Sequence, residues 1–155
     1  MSAPSAIQCY AEVLNVMKLT DLTSATIKML LTTSTYVPDT DNVGHSVLAD
    51  ITNELANGNG YTTGGVALAS PTIADFSTTG YKFSTGNALW TASGSGIPAW
   101  RYGVIYVVGS LWGFTSPLLG VFTGDSAPAD IPLTAAGNSL QVTTPANGWF
   151  TDTRT

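Results

Sequence analysis

A mainly β, antiparallel fold of the sandwich or barrel type is what this sequence predicts, and three features of the chain predict it. From Tyr61 onward, short apolar runs alternate with Gly, Asn, Pro and Ser punctuation at close intervals. The run Val104-Ile105-Tyr106-Val107-Val108 is apolar at every position, as in a central strand covered on both faces. Helical spacing is confined to one stretch near the start of the chain. At 155 residues the chain is read as a single domain, 1–155, large enough to bury a core without metals or disulfides.

Taken in order, Ser5 beside Pro4 can cap a short helix. Ile7, Tyr10, Ala11, Leu14 and Met17 then recur at three- and four-residue steps, which predicts an amphipathic N-terminal α-helix over residues 6–17. Asp21 to Ser24 reads as a turn. In Ala25–Thr32, Ile27, Met29 and Leu31 alternate with Thr26, Lys28 and Leu30, as in a half-buried strand. Thr33–Gly44 is loop, marked by Pro38-Asp39 and Asp41-Asn42. Val47–Leu55 suits a short helix or an irregular strand. Asn57-Gly58-Asn59-Gly60 forces a reversal, because Asn and Gly tolerate positive φ. Strands are predicted near Val66–Ser70, Ile73–Ser77, Tyr81–Ser84, Ala88–Ala92, Tyr102–Gly109, Leu118–Thr123 and Ser139–Thr143. Asp125–Ile131, with Pro128, is a long loop, and residues 144–155 form a C-terminal tail.

Composition excludes several functions. Charged residues are only 10% of the chain, against about 25% in a typical domain, yet 44% of residues are apolar, too many for disorder. A folded domain with a Ser/Thr/Asn/Gly-rich surface, much of it covered by partners, fits both figures. The net charge is −5. The basic residues Lys18, Lys28, Lys82, Arg101 and Arg154 are scattered, so no stripe exists to neutralise phosphates, and neither nucleic acid nor an anionic membrane is an expected partner. No secretory signal pattern opens the chain, and no apolar run approaches the roughly 18 residues of a membrane span.

Reactive chemistry is sparse. Cys9 is the single cysteine and reads as a small buried hydrophobe. His45, the single histidine, lies in a loop and reads as solvated or capping. The carboxylate pairs Asp39/Asp41 and Asp125/Asp130 lie in turns, where Asp binds backbone N–H groups; Asp39/Asp41 lacks the ligand ladder of a calcium loop. The glycine clusters Asn57–Gly60, Gly64-Gly65 and Gly94–Gly96 match no phosphate-binding spacing. The expectation is therefore no catalytic residues, no metal and no cofactor.

The aromatic residues remain. Trp90, Trp100 and Tyr106 are expected in the core. Trp112 and Phe114 fall in Gly109–Pro117, read as a loop, where large apolar groups either fold back on the domain or contact another subunit. Leu111, Trp112, Phe114, Trp149 and Phe150 are the candidate interface residues. Trp112, Trp149 and Tyr36 could alternatively serve as stacking platforms for a carbohydrate.

Two phrases, Val47–Gly65 (VLADITNELANGNGYTTGG) and Trp90–Tyr106 (opening WTASGSG and closing RYGVIY), resemble a family of small tailed-bacteriophage virion proteins. The resemblance spans roughly Ile7 to Leu119 and fades after Val108. It implies an antiparallel β-sandwich or jelly-roll-like core and a non-enzymatic role as a capsid decoration (cement) protein. The implied partners are the major capsid protein and copies of the chain itself, in a homotrimer. The implied location is the capsid surface of the virion, after synthesis in the host cytoplasm. A tail or neck component, or a carbohydrate-binding β-sandwich displayed on the particle, are the alternatives. The family brings no catalytic residues with it.

Overall fold

The computed structural model describes residues 5–127 and 129–153. Pro4, the loop residue Pro128 and Arg154 at the end of the expected tail lie outside the described residues; Ser5, expected as a helix cap, instead accepts from Thr123 N–H through its hydroxyl at 2.9 Å. The fold is mainly β, built from antiparallel sheets with little helix.

The expected helix over 6–17 is replaced by a strand, β1 (Gln8–Cys9), followed by one helical turn, α1 (Ala11–Leu14). Pairing accounts for this. Gln8 and Cys9 lie opposite Val121 and Gly120, and Ser5 N–H donates to the Thr123 carbonyl at 3.0 Å. A short, weakly propagating helix loses to backbone bonds along a sheet edge. Tyr10 and Val13 are fully buried, whereas Leu14, expected on the buried face, stands half exposed.

After a 3-10 turn at Leu19–Ser24, β2 (Ile27–Thr32) enters the middle of the molecule. A long irregular stretch follows, with a single 3-10 turn at Leu48–Asp50. The remaining strands are β3 (Val66–Ala67), β4 (Thr72–Ser77), β5 (Gly80–Ser84), β6 (Ala88–Thr91), β7 (Tyr102–Val107), β8 (Ser110–Leu111), β9 (Phe114–Thr115), β10 (Leu118–Thr123), β11 (Ser139–Val142) and β12 (Phe150–Thr153). All seven strands expected from Val66 onward are present, four of them shorter at the C-terminal end than expected and two extended by one residue at the N-terminal end. β12 corrects the expected tail: it pairs in register with β5, Phe150 opposite Phe83 and Thr153 opposite Gly80.

Five strands make the central sheet, in the order β1-β10-β7-β2-β3. β7 lies in its middle, and both its faces are covered, as the all-apolar run predicts. Ile105 and Val107 point to one layer, Val104 and Tyr106 to the other. β10 matches this two-sided demand with a bulge. Leu118 lies opposite Tyr106 and Gly120 opposite Ile105, so Leu119 is the extra residue. Leu118 and Val121 thereby face one layer, and Leu119 and Phe122 the other.

The second β layer is split into a pair, β11-β6, and a triplet, β12-β5-β4. Its residues Phe83, Trp90, Leu140, Val142 and Trp149 share one core with Ile27, Met29, Leu31, Ile105 and Phe122 of the central sheet. This is the sandwich. The opposite face of the central sheet is covered by the irregular stretch between β2 and β3, where Tyr36, Leu48 and Ile51 join Tyr10, Leu30, Val104, Tyr106 and Leu118. β2 is therefore more buried than its alternation suggests: Leu30 and Thr32, expected outside, are fully buried under this layer.

Candidate functional site

The irregular layer is held by side-chain bonds in place of a strand ladder. Glu54 Oε1 accepts from Tyr61 Oη at 2.7 Å and from Gly64 N–H at 2.6 Å. Tyr61 Oη in turn accepts from Leu31 N–H of β2 at 3.0 Å. Tyr106 Oη, from β7, donates to the Gly64 carbonyl at 2.7 Å. Burial, then the neighbouring Glu54 carboxylate, pushes the Tyr106 phenol up to about 12 and moves Tyr61 in the same direction. Both hydroxyls therefore stay protonated and keep donating at neutral pH. The stretches Val47–Gly65 and Trp90–Tyr106 thus touch each other here. Glu54, Tyr61 and Gly64 come from the first, and Tyr106 from the second.

A second cluster joins this layer to the N-terminal segment. Tyr10 Oη and Tyr36 Oη lie 2.9 Å apart, and Tyr36 Oη is 3.0 Å from His45 Nδ1. The His45 ring stacks on Tyr36 at 5.7 Å between centroids. His45 is thus half-buried and engaged, not simply solvated. Tyr36 is fully buried, so it offers no stacking platform to a sugar.

The candidate interface residues divide. Leu111 and Phe114 pair across a hairpin, β8-β9, whose two-residue turn is Trp112-Gly113, in place of the expected loop. Both turn residues are left-handed, with φ of 55° and 85°, the geometry that matches the twist of hairpin strands. Glycine adopts it freely, but a tryptophan does so at a cost of about 1–2 kcal/mol. Trp112 is held there by Nε1 donating to Asp21 Oδ2 at 2.9 Å, and its ring packs on the main core. It folds back on its own domain. Trp112→Ala should therefore lower the stability of the free protein by about 2 kcal/mol, a half-buried share of the usual indole deletion. A shift of the urea midpoint to lower concentration checks this; a freely projecting anchor leaves that midpoint where it was.

Trp149, expected in an exposed tail, is 4% exposed and stacks on Phe122 at 5.7 Å. Its Nε1 donates to Thr85 Oγ1 at 2.8 Å. Phe150 stacks on Phe83 at 5.1 Å. The pairing of β12 with β5 draws both rings inward, so neither is a free anchor, and Trp149 is not a sugar platform either. Trp90, Trp100 and Tyr106 are in the core, as expected.

The carboxylate pairs behave as turn residues. Asp39 Oδ1 accepts from Asp41 N–H at 3.3 Å, and Asp125 Oδ1 from Ala127 N–H at 2.9 Å. Asp130 accepts from Arg101 Nε at 2.8 Å in an exposed ion pair. Cys9 is half-buried in β1, and burial pushes its thiol up, away from the nucleophilic thiolate. Among the described residues there is no group of three or more His, Cys, Asp or Glu placed to hold a metal ion, and no helix long and apolar enough to cross a membrane.

The apolar feature that does face outward escaped sequence reading. Phe83, Ile73 and Phe150 lie side by side across the triplet sheet and cover the core. Two residues along β5, on the same face, Tyr81 runs past the end of that core. The overhang shelters a cleft of about 410 Å³ between Ile73 and Tyr81 on one side and Met17, Lys18, Leu19 and Thr20 on the other, with Asp152 at its margin. Tyr81 is 54% exposed. Phe76, the extra residue of a bulge between Asp75 and Ser77, also stands out from β4. The only trace of this in the sequence is the apolar spacing of Tyr81 and Phe83, which reads equally well as an ordinary core strand.

No family model, curated protein or solved structure matches this chain.

Proposed function

We propose that the chain is a non-enzymatic structural protein of a tailed-bacteriophage virion, a decoration protein that binds and stabilises the major capsid protein lattice, as a homotrimer. The observation that carries this reading is the contact between its two family-like phrases. Tyr106 donates to the Gly64 carbonyl, and Glu54 holds Tyr61 and Gly64 beside it, so the two resembling stretches pack against each other in the fold. The surface agrees. Val37, Val43, Phe76, Tyr81, Leu89 and Leu133 are exposed large apolar residues on a chain with few charges, which keeps the desolvation cost of broad protein contact low. A net charge of −5 disfavours contact with the packaged genome. Stabilisation works by mass action: a protein that binds only the expanded shell makes that state more stable by its binding free energy.

With Trp112 and Trp149 folded inward, the overhang cleft takes their place as the contact surface. Ile73, Met17 and Leu19 form an apolar floor that a side chain from a capsid or sister subunit can fill, and Tyr81 is a partly exposed aromatic wall. The test is rebinding to particles stripped of this protein. Wild type should restore occupancy and heat resistance. Tyr81→Ala should bind roughly thirtyfold more weakly, the scale of a 2 kcal/mol hot spot, while the melting temperature of the free variant hardly moves. Wild type that fails to bind capsids sinks the reading, and density on the tail or neck in a reconstruction replaces it with the tail alternative. Equal binding by Tyr81→Ala removes the cleft from the contact.

A further inference from the structure

We infer that Tyr10, Tyr36 and His45 form a proton-sensitive latch that fastens the N-terminal segment to the irregular layer and loosens when His45 takes up a proton. Two hydroxyls and an imidazole make one hydrogen-bonded chain, with the imidazole at its outer end. Tyr10 is fully buried, and Tyr36 lies between it and the half-buried His45. With His45 neutral and Nδ1 unprotonated, every hydrogen has an acceptor. Tyr36 Oη–H donates to Nδ1, and Tyr10 Oη–H donates to Tyr36 Oη. A protonated imidazole carries hydrogens on both nitrogens and can only donate. Nδ1–H then donates to Tyr36, Tyr36 turns to donate to Tyr10, and the Tyr10 hydroxyl hydrogen is left over inside the core. A buried donor without an acceptor bears the full cost of its desolvation. The proton added near the surface is thus felt at the deepest point of the N-terminal segment.

That segment is lightly held, which makes it the part that responds. β1 is an edge strand of two residues. Apart from β10, it is tied to the irregular layer by Ala11 N–H to the Thr40 carbonyl at 3.1 Å, by Gln8 Nε2 to Thr40 Oγ1 at 2.7 Å, and by the Tyr10 hydroxyl. The charged and titratable groups around the latch are Asp39 and Asp50 from the irregular layer, Tyr10 from the N-terminal segment and Tyr102 of β7, whose ring meets Tyr36 edge-on at 5.8 Å. Asp50 is held below the usual carboxylate range, chiefly by Ser46 N–H and also by Val47 N–H, so it stays ionised where histidine titrates. Burial pushes the Tyr10 and Tyr36 phenols upward, so both keep their hydrogens throughout. Histidine is the side-chain type whose charge changes between pH 5 and 8.

Amide hydrogen exchange of the intact chain at pH 7.5 and 5.5, corrected for intrinsic rates, tests the latch. In the wild type, amides of the Gln8–Leu14 segment should exchange at least about fivefold faster at pH 5.5, the lower bound set by an orphaned buried donor. Tyr36→Phe keeps the ring but cuts the relay between His45 and Tyr10, so the Tyr10 hydroxyl lacks its acceptor at both pH values and the corrected rates should be equal. His45→Gln can still accept from Tyr36 and does not titrate, so it should also be flat; this separates the histidine from Asp39 and Asp50. Wild-type rates that do not change with pH overturn the latch. So does an acid response that persists in Tyr36→Phe or, should that variant not fold, in His45→Gln.

Discussion

Trp149→Ala should remove about 3–5 kcal/mol of folding stability, a large part of the roughly 5–15 kcal/mol available to a domain of this kind. Trp149 is an indole buried to 4% exposure, stacked on Phe122, with its nitrogen bonded to Thr85 Oγ1. Its backbone also contributes, since Trp149 N–H donates to the Phe83 carbonyl at 2.7 Å just before β12 joins β5. Deleting the ring opens a void under Phe122 and loosens the entry to β12, so Phe150 should lose its hold on Phe83 as well. Trp149→Phe restores most of the volume and gives up the bond to Thr85, and should cost only about 1–2 kcal/mol. Urea unfolding followed by circular dichroism orders the three proteins. If Trp149→Ala matches the wild type, the indole is not part of the core and its role as a partner anchor returns.

What the sequence could and could not announce follows from how each part is held. The strands Tyr102–Val107 and Leu118–Thr123 are legible because burial on two faces leaves an unbroken apolar run. The β4-β5 and β6 strands are legible because glycine, proline and asparagine mark their ends. The N-terminal helix was a misreading, because Ile7, Tyr10 and Met17 keep an apolar spacing that also serves a strand followed by a single turn. Only the edge of β10, more than a hundred residues away, decides between them. β12 was illegible for a related reason. Phe-Thr-Asp-Thr carries one apolar residue, and its strand is made by backbone pairing with β5. The irregular layer has no period at all, because Glu54, Tyr61 and Asp50 satisfy backbone groups by side chain. Trp112 could face either way until Asp21 supplied an acceptor for its indole. The overhang cleft was illegible because Tyr81 differs from Phe83 only in lying past the end of the core, and no local pattern records where a core ends.

Gly65→Ala should cost about 3 kcal/mol or more, the second large effect, and it tests whether the irregular layer is truly clamped to the sheet. Gly65 has φ of +73°, where a Cβ costs about 1–2 kcal/mol. A Cβ there would also run into the Met29 carbonyl and the Leu30 Cα of β2, backbone atoms of a buried strand that cannot swing aside. Displacing packed backbone adds roughly 1–3 kcal/mol. The loop cannot retreat either. Gly64, its neighbour, is gripped through its N–H by Glu54 and through its carbonyl by Tyr106, and Gly65 N–H donates to the Thr62 carbonyl at 2.8 Å. Gly137 supplies the control. Its φ is +85°, yet a Cβ there meets nothing within 4 Å, so Gly137→Ala carries the backbone penalty alone, about 1–2 kcal/mol. The difference between the two variants in urea midpoint isolates the close approach of the loop to β2. Were they equally stable, the layer would have room to lift from the sheet, and the bond between Gly64 and Tyr106 would lose its structural weight.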